Sequence, residues 1–76
     1  MQIRVISFGK IAGITGPDVS VKNVTDTDSL RALLEESYPA LKETKYVIAV
    51  NKDLVRDNKP LQAGSEVALL PPFSGG

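Results

Sequence analysis

The sequence predicts an α+β fold: a mixed sheet crossed by one main helix. Three observations point to it. Short apolar runs of strand length occur at residues 2–9, 18–24, 45–51 and 66–70. Only residues 26–41 combine helix-start residues with a long apolar stripe at helical spacing. The resulting order, β-β-α-β-β, puts that helix after a first pair of strands and before the rest of the sheet.

Each element has its own signature. In QIRVISFG, residues 2–9, Ile3 and Val5 fall on one face and Ile6 and Phe8 on the other. Residues 10–17, KIAGITGP, hold Gly13, Gly16 and Pro17, which is turn chemistry. Val19 and Val21 then alternate with polar residues, so residues 18–24 should return as a hairpin partner of the first strand. Asp26, Thr27 and Asp28 suit a helix N-terminus, because their side chains accept the first free N–H groups and their charge opposes the helix dipole. Leu30, Leu33, Leu34, Tyr38 and Leu41 form one stripe. Pro39 should end the helix near Tyr38, after about three turns.

KYVIAVN, residues 45–51, is a continuous β-branched and aromatic run, as in a strand covered on both faces. Asn51-Lys52-Asp53 reads as a turn and Leu54-Val55 as a short edge piece. DNKPLQAGS, residues 57–65, reads as a loop with room for one tight helical turn, and EVALL, residues 66–70, as the last strand. A right-handed crossover that lays the last strand beside the first gives the ubiquitin-like β-grasp arrangement. A split βαβ fold needs a second helix of comparable length. The proline-containing loop at 57–65 is too short to supply one.

Composition narrows the function. The chain has 76 residues, with 9 basic and 9 acidic side chains and a net charge of zero. That balance argues against a nucleic-acid surface or a polybasic membrane patch. No apolar run approaches the roughly 20 residues of a membrane span. The opening MQIRVISFG alternates too early to read as a signal peptide. Cysteine and histidine are absent, which removes disulfides, a thiolate nucleophile and nearly every zinc or iron site. The six lysines, Lys10, Lys22, Lys42, Lys45, Lys52 and Lys59, read as solvated surface. Asp26, Asp28, Glu35 and Glu36 cap and solubilise the helix. No phosphate loop, metal cluster or general base marks a free-standing enzyme.

The most distinctive stretch is LLPPFSGG, Leu69 to Gly76. Pro71 and Pro72 stop a strand ladder and send the chain outward as a semi-rigid arm. Gly75 and Gly76 have no Cβ, so a glycine carboxylate can enter a channel closed to other residues. The division is therefore a β-grasp domain at 1–70 and an extended tail at 71–76. Leu70 should share a face with Ala68, opposite Val67 and Leu69.

Ala49 to Gly76, AVNKDLV and KPLQAGSEVALLPPFSGG, resembles the C-terminal half of the small, sulfur-carrying subunits of molybdopterin synthase. These are the MoaD/ThiS-like, ubiquitin-related sulfur carriers. Their pattern is an Ala-Val-Asn strand end, a Pro-Leu pair, a glycine before the last strand, and Pro-Pro-hydrophobic-Ser/Thr-Gly-Gly. FGKIAGITG, Phe8 to Gly16, is similar to the family's N-terminal motif but departs at Ala12 and Gly13, where many members carry arginine and glutamate. Partner contacts are therefore not carried over to that loop.

The resemblance implies a sulfur carrier with no catalytic side chain and no bound cofactor or metal. An E1-like adenylyltransferase would use ATP to adenylate the carboxylate of Gly76. A donor such as a cysteine desulfurase or rhodanese-type protein would supply sulfur for a thiocarboxylate. Phe73, Ser74, Gly75 and Gly76 would enter the active site of the large catalytic subunit, in a cytoplasmic heterotetramer of two small and two large subunits. There the sulfur would pass to cyclic pyranopterin monophosphate to build the molybdopterin dithiolene. Phe8, Leu54 and Leu70 match the family's partner-binding patch; the competing reading is that they fill a small core. Three other functions stay open: a carrier for thiamine thiazole synthesis, a protein modifier joined to lysines, and a β-grasp binding module with a passive tail.

Overall fold

A computed structural model of the chain describes residues 2–72. Five strands, β1 (Gln2–Ser7), β2 (Asp18–Lys22), β3 (Val47–Val50), β4 (Asp53–Val55) and β5 (Glu66–Leu70), form one sheet in the order β2-β1-β5-β3-β4. β1 and β5 are parallel, and the other three pairings are antiparallel. The main helix, α2 (Thr27–Ser37), packs Leu30 and Leu34 into the core. Ile3, Val5, Ile48, Val50, Val67 and Leu69 meet it from the inner face of the sheet, each essentially without solvent exposure. This is the β-grasp order expected from the sequence. Among the described residues, no helix is long and apolar enough to cross a membrane.

The segment expected to be a turn between the first two strands is instead a second helix, α1 (Gly9–Thr15). Gly13 is tolerated within it, and Gly16 is its stop rather than a turn residue. Gly16 has φ of 87° and donates its N–H to the carbonyl of Ala12 at 2.8 Å. The helical signal lay in Ile11, Ile14 and Thr15, which face inward. Thr15 bridges the Ser7 hydroxyl at 2.9 Å, so the helix is fastened to β1 by a buried polar pair. β1 and β2 do pair antiparallel, but through this helix rather than a tight hairpin.

Several smaller boundaries also differ. The first three predicted strands shorten to residues 2–7, 18–22 and 47–50. Tyr38 closes α2 as expected, but Pro39 then opens a 3-10 helix, Pro39–Glu43. Proline suits a first helical position because its missing N–H would be unpaired there. Leu41 reaches the core from this element rather than from α2. The 57–65 loop contains no helical turn.

That loop is stitched to the N-terminus of α2. Asp26 is the N-cap and accepts the Ser29 N–H at 2.8 Å. The Asn58 side-chain carbonyl accepts the Asp28 N–H at 2.9 Å, and its amide donates to Asp26 at 3.3 Å. Lys59 N–H donates to the Thr27 hydroxyl and Leu61 N–H to the Thr25 carbonyl. Backbone donors that a helix start leaves unpaired are thereby satisfied, and Leu61 is held in the core.

Ser29, through its hydroxyl and then its backbone N–H, and next the Asn58 amide hold the Asp26 carboxyl below the usual carboxylate range. A carboxyl with a lowered folded-state pKa stabilises the fold above its unfolded pKa, and that contribution is lost as pH falls through the folded value. Asp26→Asn is expected to flatten the loss of stability between about pH 5 and pH 2, read from urea midpoints at each pH. Asn58→Ala should lower stability by about 1 kcal/mol at neutral pH, measured by the same urea titration.

Candidate functional site

Side chains alternate along a strand, so burying Ile3, Val5 and Ser7 in β1 turns Gln2, Arg4 and Ile6 outward. In β5, Val67 and Leu69 point inward, which leaves Glu66, Ala68 and Leu70 on the outer face. Pairing then lines up an apolar row across four strands. Ile6 lies opposite Ala68, Ala68 opposite Ala49, and Ala49 opposite Leu54.

The two alanines make a low floor, and larger side chains surround it. Phe8, Ala49, Lys52, Leu54, Glu66, Ala68 and Leu70 enclose a depression of about 340 Å³. Phe8 is 47% exposed and Leu54 54% exposed, far too open for core residues; Leu70 is half-buried. The three residues singled out in the sequence are thus brought together on one solvent-facing surface. Ala49 and Ala68 complete it, and the sequence reading assigned them no role. Their signal was the strand order, since only the β5–β3 pairing sets one alanine beside the other.

Across the sheet, Arg4 forks onto Asp18, its Nε donating to the two carboxylate oxygens at 3.0 and 2.8 Å. These hydrogen bonds hold the Asp18 carboxyl below its ordinary range and raise the Arg4 guanidinium, two consistent directions. The pair is exposed and screened by solvent, so it marks a polar flank more than a source of stability.

The tail begins at the same end of the sheet. Phe8 N–H donates to the Leu69 carbonyl at 3.1 Å. Gly9, at φ +57°, sits so close to Pro71 that an added Cβ would lie 2.9 Å from the proline Cγ. Pro71 therefore rests on backbone, and only a residue without a side chain fits below it. Pro72 is exposed. The predicted tail residues Phe73, Ser74, Gly75 and Gly76 lie outside the described residues.

On the helical side, Tyr46 donates its hydroxyl to Glu35 at 2.7 Å, and Arg31 lies 5.9 Å above its ring. Burial first, then Glu35, raises the Tyr46 phenol above its ordinary range. This cluster joins α2 to the residue just before β3. Among the described residues, no group of acidic side chains is placed to hold a metal ion.

A five-stranded β-grasp sheet with an apolar outer face and a proline-guided exit matches known proteins over its whole length. The sequence model of the ThiS family covers residues 5–76. The chain belongs to the ThiS family. Relatives include the molybdopterin synthase sulfur carrier subunits of Chlamydomonas reinhardtii, 36% identical over 100% of both chains, and of Escherichia coli K12, 32% identical over 99% of this chain and 100% of the other. Among solved structures, a chain in the complex of subunits 1 and 2 of molybdopterin-converting factor from Helicobacter pylori superposes with a TM-score of 0.76 at 35% identity, covering both chains fully. SAMP1 from Haloferax volcanii superposes with a TM-score of 0.75 at 27% identity, again over 100% of each chain. Ala12 and Gly13, where the sequence departs from the motif it resembles, fall within α1, and Gly13 is exposed.

The exposure of the apolar face has a direct consequence for stability. Leu54→Ser should change the unfolding free energy by no more than about 0.5 kcal/mol. Leu69→Ala, two strands over and inward, should lower it by about 2–5 kcal/mol. Chemical denaturation of the two variants separates surface from core.

Proposed function

We propose that this chain is the sulfur carrier subunit of a molybdopterin synthase. The observation that carries the reading is its end-to-end similarity to relatives with that name, from an alga and a bacterium. The neighbour seen in a two-subunit complex supports a large synthase subunit as the partner.

The chemistry runs through Gly76. A carboxylate resists substitution because its leaving group would be oxide. An activating enzyme attaches AMP from ATP to the Gly76 carboxylate and releases pyrophosphate. Hydrosulfide supplied through a donor protein then attacks the acyl carbon and displaces AMP, which leaves a glycyl thiocarboxylate. Phe73, Ser74 and Gly75 deliver that terminus to the large subunit, where sulfur passes to cyclic pyranopterin monophosphate. Dithiolene formation needs two sulfurs, so the carrier is recharged between transfers. The chain itself holds no cofactor; ATP is consumed by the activating enzyme. With neither cysteine nor histidine in the sequence, its part is to dock, present and release. The apolar face of Phe8, Leu54 and Leu70 gives the partner a surface to grip.

The test is intact mass after incubation with the activating enzyme, ATP and a sulfur source. The expected gain equals the exchange of one oxygen for sulfur, and removing Gly76 should abolish it without changing the thermal unfolding curve. An unchanged mass, under conditions that load a known carrier, would overturn the proposal. Complementation distinguishes the related pathway: rescue of a thiazole-carrier mutant but not of a molybdopterin-carrier mutant assigns the chain to thiamine synthesis. Protein adducts that vanish with Gly76 would mark a modifier.

A further inference from the structure

We propose that Lys52 is a specificity-determining residue of the docking face, whose ammonium pairs with a side-chain carboxylate on the large synthase subunit. This rests on the function proposed above. The observation behind it is a conformation that lysine does not favour, held at the rim of the apolar depression.

β3 and β4 are joined by only two residues, Asn51 and Lys52, with φ of 51° and 73°. Two positive φ values in a two-residue hairpin loop are the pattern of a type I′ turn, whose second position strongly prefers glycine. Asn51 has local reasons for its place. Asparagine tolerates the left-handed region. Its N–H donates to the Glu66 carbonyl at 2.7 Å, and its side-chain oxygen accepts the Glu66 N–H at 3.0 Å. Lys52 has none. Its side chain is exposed and makes no hydrogen bond or ion pair among the described residues. A side chain held in a disfavoured backbone region without local compensation is a pointer to function.

Its position says which function. Lys52 lines the same depression as Phe8, Leu54 and Leu70. An apolar face accepts many apolar partners, whereas a charge on its rim sets orientation and rejects mismatched surfaces. The lysine stem can lie along the apolar wall while the ammonium stays at the edge. Of the other cations on this face, Arg4 is already neutralised by Asp18, and Lys22 lies on the far edge strand opposite Gln2, away from the depression. A complementary partner therefore sets a carboxylate against Lys52 and a hydrogen-bond donor against Glu66, the other charged group at the depression.

Local stability and partner binding should move in opposite directions. Lys52→Gly relieves the turn and is expected to raise the melting temperature of the isolated protein. The same variant should associate with the large subunit about threefold more slowly at low salt, as expected for one exposed charge pair, with the difference closing at high salt. Lys52→Glu should be slower still, and Lys52→Arg should keep the wild-type rate. Stopped-flow association of the full chain with the large subunit, alongside thermal unfolding, measures both. Equal rates for the glycine, glutamate and wild-type proteins would overturn the inference while leaving the carrier function intact, and so would a lower melting temperature for Lys52→Gly. If the wild type fails to bind the large subunit, the proposed function falls together with this inference.

Discussion

The parallel pairing of β1 with β5 is the contact on which the rest of the architecture depends. These strands lie far apart in sequence, and joining them side by side in the same direction requires the intervening chain to cross the sheet. α2 makes that crossing and covers the inner face. The pairing also brings the C-terminal ends of both strands to one edge of the molecule. Phe8 and Gly9, just past β1, therefore stand beside Leu70 and Pro71, just past β5. The apolar face and the root of the tail are neighbours for this reason alone.

A second constraint keeps the crossing in register. The N-terminus of α2 and the loop before β5 exchange backbone and side-chain hydrogen bonds through Asp26, Thr27, Asn58 and Lys59. At the other side of the sheet, Asn51 grips the backbone of Glu66 on both its N–H and its carbonyl. β5 is thus fixed at its start by polar contacts and along its length by the flanking strands. NKPL, which read as part of a loop, and Asn51, which read as the start of a turn, act here as fasteners of the central strand.

Much of this was legible in the sequence because period and punctuation agreed. Ile3 and Val5, Val67 and Leu69, and the stripe from Leu30 to Tyr38 all face where their spacing placed them. The parity of Ala68 and Leu70 was equally readable. α1 was not, because two glycines and a proline within eight residues outweighed the spacing of Ile11, Ile14 and Thr15. Its stability comes from packing and from the Ser7–Thr15 hydroxyl pair, both tertiary effects. The floor of the apolar outer face was hidden for another reason. Alanines carry no strong surface signal, and Ala49 and Ala68 meet only through long-range strand pairing. Likewise the odd backbone of Lys52 shows only in dihedral angles.

The seating of Pro71 on Gly9 also determines a length. Pro72 to Gly76 are five residues, and a fully extended chain advances about 3.3–3.6 Å per residue, so chain length alone limits the distance from that anchor to Gly76 to about 18 Å. Any protein that reacts with it must bring its catalytic atoms inside that radius while gripping the sheet beside it. Within so small a volume a bound terminus has a high effective concentration. An activating enzyme and a sulfur-accepting enzyme, unrelated in their chemistry, would then share one geometric requirement imposed by the carrier.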